Sequence, residues 1–259
     1  MSAVSTRRIG LIVPSSNTTM ETELPALLRR REALRPQEAF TFHAARMRMR
    51  QVTPEELAAM NAQTERAAAE LADLRPDAVA TACLVAIMAQ GTGFHCTAEQ
   101  QIATVLAAEG AQAPVVSSAG ALVAALGALG ARRVAIVTPY MKPLTARVAA
   151  YIEAEGVEVH DALSLEVADN RAVAALDPAG LLEHWRRLDL SGCDALVLSA
   201  CVQMPSLPVL AEVERACGLP TLSAATATAW ALLRALEIEP VAPDAGALLA
   251  PDTLREGGA

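Results

Sequence analysis

Large aromatic residues are scarce in this sequence: two Trp, two Tyr and three Phe amount to 3% of 259 residues, against a hydrophobic share of 53%. A core must therefore be assembled from Ala, Val, Leu and Ile, the side chains that pack helices onto parallel strands. Basic runs are missing too. Apart from Arg29-Arg30-Arg31 there is no cluster of Lys or Arg, and the formal net charge is -8, which argues against nucleic acid or an anionic membrane as a partner. No apolar stretch reaches the roughly 18 to 20 residues that span a bilayer. The N-terminal MSAVSTRRIGLIV lacks the charged start, apolar middle and small-residue cleavage site of a signal peptide, so a cytoplasmic location is expected. Five cysteines, an odd number, include no C-x-x-C pair, and His43, His95, His160 and His184 form neither H-E-x-x-H nor H-x-H. That pattern argues against a disulfide framework, a zinc finger and a protein metal site. Neither G-x-G-x-x-G nor a Walker loop occurs, so no nucleotide cofactor is expected.

What is present is an alternation of short apolar runs with longer segments of helical period, the signature of parallel strands joined by crossover helices. Strands are predicted at 9–13, 39–45, 78–82 and 115–116, and helices at 20–31, 54–74 and 121–129. Thr53 before Pro54 is a predicted N-cap, and Thr97-Ala98-Glu99-Gln100 has capping-box spacing, predicting a helix that opens there and runs to about Glu109.

The same order then repeats. Arg133-Val134-Ala135-Ile136-Val137-Thr138-Pro139 answers Arg8-Ile9-Gly10-Leu11-Ile12-Val13-Pro14, the run Asp194 to Cys201 answers Asp77 to Cys83, and Pro220-Thr221-Leu222-Ser223 answers Pro114-Val115-Val116-Ser117. The chain is read as an N-terminal half, 1–130, and a C-terminal half, 131–238. A tail, 239–259, rich in Pro, Ala and Gly, is expected to be poorly ordered.

Paired strand-helix halves bind ligands outside the carboxyl ends of their strands, and Cys83 and Cys201 both stand at such an end. A single cysteine there would read as a small core residue. Two at equivalent positions of a repeat bring two sulfurs to one cleft, where a helix N-terminus is expected to depress the thiol pKa. Cys96, Cys193 and Cys217 have no such partner and are read as structural. Asn17 in the Pro14 to Thr19 loop offers an amide donor to a carboxylate, with Ser15, Ser16 and Thr18 as hydroxyl donors. Tyr140 occupies the corresponding loop of the second half, and Asn170 is a loop residue near the same place.

The segments Ile12 to Glu21, Ala82 to Met88 and Ser199-Ala200-Cys201-Val202-Gln203-Met204-Pro205 resemble the maleate cis-trans isomerases of the Asp/Glu racemase superfamily, with the likeness running from about Arg8 to Leu236. The resemblance implies two pseudo-symmetric parallel-sheet α/β halves, Rossmann-like or flavodoxin-like, with the active site between them, and a homodimer. It implies cofactor-independent isomerisation of maleate to fumarate, in which the Cys83 thiolate adds to the alkene, the central bond rotates and the sulfur leaves. Cys201 would manage the proton, either by assisting thiolate formation or by protonating carbon. Asn17, Tyr140 and Asn170, with backbone N–H groups near Val85 and Val202, would hold the carboxylates. An amino-acid racemase is the alternative, but Leu84 and Val202 follow the cysteines where racemases have Thr or Asn. An arylmalonate decarboxylase would keep one cysteine, and a binding protein for small dicarboxylates has no evident need of two.

Overall fold

The computed structural model describes residues 4–251. The first half runs β1 (Ser5–Pro14), α1 (Met20–Leu34), β2 (Glu38–Met47), α2 (Pro54–Asn61), α3 (Thr64–Ala72), β3 (Ala78–Thr81), α4 (Leu84–Met88), α5 (Phe94–Ala108), β4 (Val115–Ser117) and α6 (Ser118–Ala128). The second runs β5 (Arg133–Thr138), α7 (Lys142–Ala154), β6 (Glu158–Ser164), α8 (Asn170–Ala174), α9 (Leu181–His184), β7 (Ala195–Ser199), α10 (Leu207–Cys217), β8 (Thr221–Ser223) and α11 (Ala224–Ala235). Two four-stranded sheets result, ordered β2-β1-β3-β4 and β6-β5-β7-β8, with every pairing parallel. The sequence repeat is thus a repeat of topology.

Equivalent hydrogen bonds make the correspondence specific. The backbone N–H of Ala82 donates to Ile12 O and that of Ala200 to Val137 O, at 2.8 and 2.9 Å, so each residue before a cysteine is tied to the first strand of its own sheet. Asp77 and Asp194 each accept the backbone N–H of an arginine of that strand, Arg8 within β1 and Arg133 at the start of β5. The second half carries one residue more between its aspartate and its cysteine. An irregularity in the β7–β8 pairing between Val197 and Ser199 absorbs it, as a bulge does, and Cys201 still arrives at the strand end.

Four expectations need correction. The predicted helix 54–74 is two helices, broken at Ala62-Gln63, where the Gln63 side chain accepts the Arg48 N–H and donates to Ala59 O. Thr97 opens no helix: α5 begins at Phe94 after Gly93, which has φ +71°. Glu99 instead reaches across to the N–H and hydroxyl of Ser117, at 2.9 and 2.6 Å. This leaves room only for glycine at position 120, because a Cβ there would lie 2.7 Å from Glu99 Oε1 and 2.8 Å from His95. Cys96 is exposed rather than structural.

The fourth correction concerns the tail. Val241, Ala242, Ala245, Leu248 and Leu249 are buried. Arg31, 2% exposed, donates to the carbonyls of Glu239 and Val241 while forking onto both carboxylate oxygens of Glu38. Residues 252–259 of the expected tail lie outside the described residues. No helix of the described residues is long and apolar enough to cross a membrane.

Candidate active site

At the carboxyl ends of the two sheets a small cavity, about 280 Å³ counting its mouth, is lined by Asn17, Cys83, Val85, Tyr140, Asn170, Cys201 and Val202. Both cysteines, the side-chain donors Asn17, Tyr140 and Asn170, and Val85 and Val202 therefore meet in one place and are all buried, whereas Ser15, Ser16 and Thr18, also expected as donors, do not line the cavity. Cys83 is the N-cap of α4, so its chain turns into the helix at once. Cys201 is followed instead by five non-helical residues, Val202 to Ser206, before α10 begins.

Asn17 folds its Oδ1 back onto the N–H of Met20 at 2.9 Å, capping the first turn of α1. The group this leaves for a ligand is the amide NH2, a donor suited to a carboxylate. Asn170 is the first residue of α8, not a loop residue, and its position is set by Asp169, whose carboxylate accepts the N–H groups of Arg171 and Ala172. The Asn170 amide donates to Ser16 Oγ at 2.7 Å. Ser15 and Ser16 in turn donate to the carbonyl of Met49, at 3.2 and 2.7 Å, so these hydroxyls bind the chain segment that closes the cavity.

The thiols do not behave as the helix-terminus argument predicts. Burial pushes Cys83 up to about 12, with the Ala86 N–H working against the shift and the negative charge of Cys201 adding to it. Desolvation of a thiolate outweighs the dipole of the five-residue α4. Cys201 is also raised by burial, but three donors oppose this: the Tyr140 hydroxyl and the backbone N–H groups of Gln203 and Met204. The Gln203 N–H lies 3.3 Å from Cys201 Sγ. Tyr140 is held well above its ordinary value by burial first and by the facing thiols second, so its hydroxyl keeps its proton and remains a donor. When one of the two sulfurs carries the charge, the donor count favours Cys201.

Six further residues line the cavity without having been assigned a role from the sequence: Pro14, Met49, Val52, Ala82, Leu84 and Gln203. The alternation Arg46-Met47-Arg48-Met49-Arg50 was a legible signal for an extended segment with its methionines inward; Met47 and Met49 are both 2% exposed. Glu56 fixes the far side of this segment by accepting the N–H groups of Arg50 and Gln51. Among the described residues no group of three or more His, Cys, Asp or Glu could hold a metal ion.

Two parallel α/β halves of identical strand order, each delivering a cysteine from its third strand into a shared buried cavity, define an enzyme of the Asp/Glu racemase-like class. Residues 9–249 match the arylmalonate decarboxylase family. The maleate isomerase of Pseudomonas putida KT2440 is 57% identical over 93% of this chain and 96% of its own. The crystal structure of the Pseudomonas putida S16 maleate isomerase with maleate superposes with a TM-score of 0.94 at 50% identity, covering 95% of this chain and 98% of that one. A Cys-to-Ser mutant of the Nocardia farcinica maleate cis-trans isomerase, with a covalently bound succinylcysteine intermediate, superposes with a TM-score of 0.91 at 54% identity over 95% of this chain and 98% of that one. The chain belongs to the maleate isomerases of this family and is an isomerase.

Proposed function

We propose that this protein converts maleate to fumarate through a covalent adduct on Cys83, with Cys201 as its proton partner. The observation that carries the reading is the convergence of both cysteines and the carboxylate-binding donors of Asn17, Tyr140 and Asn170 on one buried cavity. In the ionised form of the pair the charge sits on Cys201, which has the more donors, and Cys83 gives its proton to that thiolate as its sulfur bonds to one alkene carbon. The electron pair of the double bond moves onto the adjacent carbon and its carboxylate, where preorganised donors hold the developing charge. Cys201 then protonates that carbon, leaving a succinyl group on Cys83 with a single central bond.

Rotation about that bond carries the two carboxylates apart. The Cys201 thiolate takes a proton back from the same carbon, the double bond re-forms, the carbon–sulfur bond breaks, and the Cys83 thiolate recovers its proton from Cys201. Two modest barriers replace one prohibitive one. Backbone N–H groups near Val85 and Val202 complete the carboxylate sites, in keeping with a dianion held by neutral donors and strand-to-helix turns. Size selectivity follows from the closeness of Pro14, Met49, Val52 and Leu84.

The protein works in the cytoplasm as a homodimer in this reading. Five free cysteines suit a reducing compartment, and the exposed Leu34 and Met141 offer apolar surface to a partner copy. Light scattering should give twice the 27.0 kDa chain mass; a single-chain mass would remove the dimer from the account.

The function is tested by proton NMR of maleate incubated in D2O with the wild type, Cys83→Ala and Cys201→Ala. Fumarate forms with the wild type and is lost with Cys83→Ala, and deuterium appears on carbon because Cys201 exchanges its proton with solvent. A folded wild type that leaves maleate unchanged overturns the proposal.

A further inference from the structure

The two cysteines are held in place by different means. After Cys83 the chain enters α4 directly, and helical hydrogen bonds such as Ile87 N–H to Cys83 O fix the backbone. After Cys201 the five residues to Ser206 have no helix of their own, and a turn of that kind holds its shape only if other groups satisfy its polar atoms. One residue in it does most of this. Gln203, 3% exposed, donates from Nε2 to Ser16 O at 2.8 Å and to Asn170 O at 2.9 Å, and its Oε1 accepts the N–H of Thr18 at 3.1 Å. Its carbonyl accepts the Thr19 hydroxyl at 2.7 Å, and its own N–H reaches Cys201 Sγ at 3.3 Å.

We infer that Gln203 is a positioning residue that locks the Cys201 turn onto the loops bearing Asn17 and Asn170, so that the proton partner and the carboxylate donors keep one mutual geometry. Every donor of its amide group is used, and its partners lie 33 to 187 residues away in sequence. They belong to both halves, so the side chain ties Cys201 in the second to the β1–α1 loop of the first. The repeat has no counterpart: the residue two positions after Cys83 is the apolar Val85, which sits inside a helix and needs none. The turn's far end is held separately by Glu23, which accepts the N–H groups of Ser206 and Leu207. Loss of the Gln203 side chain therefore loosens the sulfur end from the Asn17 and Asn170 loops, although Ser199 Oγ still donates to Cys201 O and Met204 O, and it leaves the other end anchored.

This inference rests on Cys201 being the proton partner of a Cys83 adduct. Gln203→Met keeps the length and removes the three side-chain hydrogen bonds; Gln203→Glu replaces one donor group with an acceptor facing two carbonyls. Each is assayed with maleate beside the wild type and Cys83→Ser, with kcat and KM measured and the intact protein mass read during turnover. In Gln203→Met, kcat falls between about tenfold and a hundredfold, the scale that a misplacement of about 1 Å produces, while KM changes less. The Cys83 adduct accumulates because solvent can protonate the carbanion in place of a misplaced Cys201, whereas taking that carbon-bound proton away again needs the thiolate in position.

A merely structural role would lower activity without any adduct. In Gln203→Glu, activity recovers relative to the wild type as the pH is lowered, because the protonated acid regains a donor. Near-wild-type kcat in Gln203→Met, or a folded, slow variant free of adduct, overturns the role of Gln203. If Gln203→Met does not fold, the pH recovery of Gln203→Glu decides, and its absence overturns the proposal. Fumarate formation by the wild type, with none from Cys83→Ser, shows at the same time whether the underlying reaction stands.

Discussion

Glu23, on α1 of the first half, accepts the backbone N–H of Ser206 at 2.6 Å and that of Leu207 at 2.7 Å, and so caps α10 in the other half. The carboxylate is buried, 6% exposed, and burial raises its pKa above 4.5, with the two N–H donors and the more distant Arg30 pulling down. The folded protein therefore holds this proton more tightly than the unfolded chain does. The stabilisation is complete below the unfolded value of 4.5 and is lost as pH rises through the raised folded value. Glu23→Gln keeps the acceptor oxygen without the titration. The Tm of the wild type minus that of Glu23→Gln should therefore shrink as the pH goes from about 4 to about 7. A constant or growing difference in thermal melts would show that the carboxylate is not the strained member of this cap.

The raised Cys83 thiol has a direct chemical consequence. With its pKa at about 12, only a small and pH-dependent fraction is thiolate, and the thiolate is the nucleophile. Iodoacetamide modification of Cys83, followed by peptide mass spectrometry in the absence of maleate, should quicken about tenfold per pH unit without a plateau below about pH 10. A plateau near pH 8 would mean that the free enzyme already stabilises the thiolate. The proton transfer to Cys201 would then not be needed to generate the nucleophile.

Arg31 tests the C-terminal segment. Its fork onto Glu38 and its bonds to Glu239 O and Val241 O use a guanidinium that is almost wholly buried. Arg31→Met leaves a largely buried carboxylate and two carbonyls without their donor, and removing one partner of such a pair costs about 3 to 5 kcal/mol. Glu38 retains 20% side-chain exposure, so the lower end of that range, about 3 kcal/mol in urea unfolding, is expected. A loss under about 1 kcal/mol would show that the segment from Glu239 contributes little to holding the fold.

Much of the architecture was legible because it is written in local, repeated signals. The strand runs opening at Arg8 and Arg133 and the two Asp-to-Cys runs share apolar period and punctuation, and a repeat needs no long-range information to be seen. The site residues followed once the cysteines were recognised as equivalents. What escaped was set by distant partners. The break at Ala62-Gln63 carries no Gly or Pro and depends on Arg48; the role of Glu99 depends on Ser117, and the order of the tail depends on Arg31. The thiol pKa was misjudged because proximity to a helix is visible in sequence whereas desolvation is not. Gln203 lay inside a motif already singled out, yet its importance lies in partners as far as 187 residues away.

Pocket size is the remaining determinant open to test. Val52 and Tyr140 belong both to the buried cavity and to a wider adjoining groove lined by Leu57, Met141 and Leu144, so Val52 stands at the boundary between them. The chain just before it is held twice, through Met49 O by Ser15 and Ser16 and by the Gln51–Asp169 bridge, so the segment is unable to yield freely to a larger ligand. Val52→Ala removes two methyl groups from this wall without disturbing those bonds. One methylene in an apolar pocket is worth roughly 10- to 200-fold in discrimination. The ratio of kcat/KM for 2-methylmaleate over maleate should therefore rise by about tenfold or more in Val52→Ala. An unchanged ratio, with maleate turnover intact, would move the steric limit to Pro14, Met49 or Leu84, and the same substitution at Met49 would then locate it.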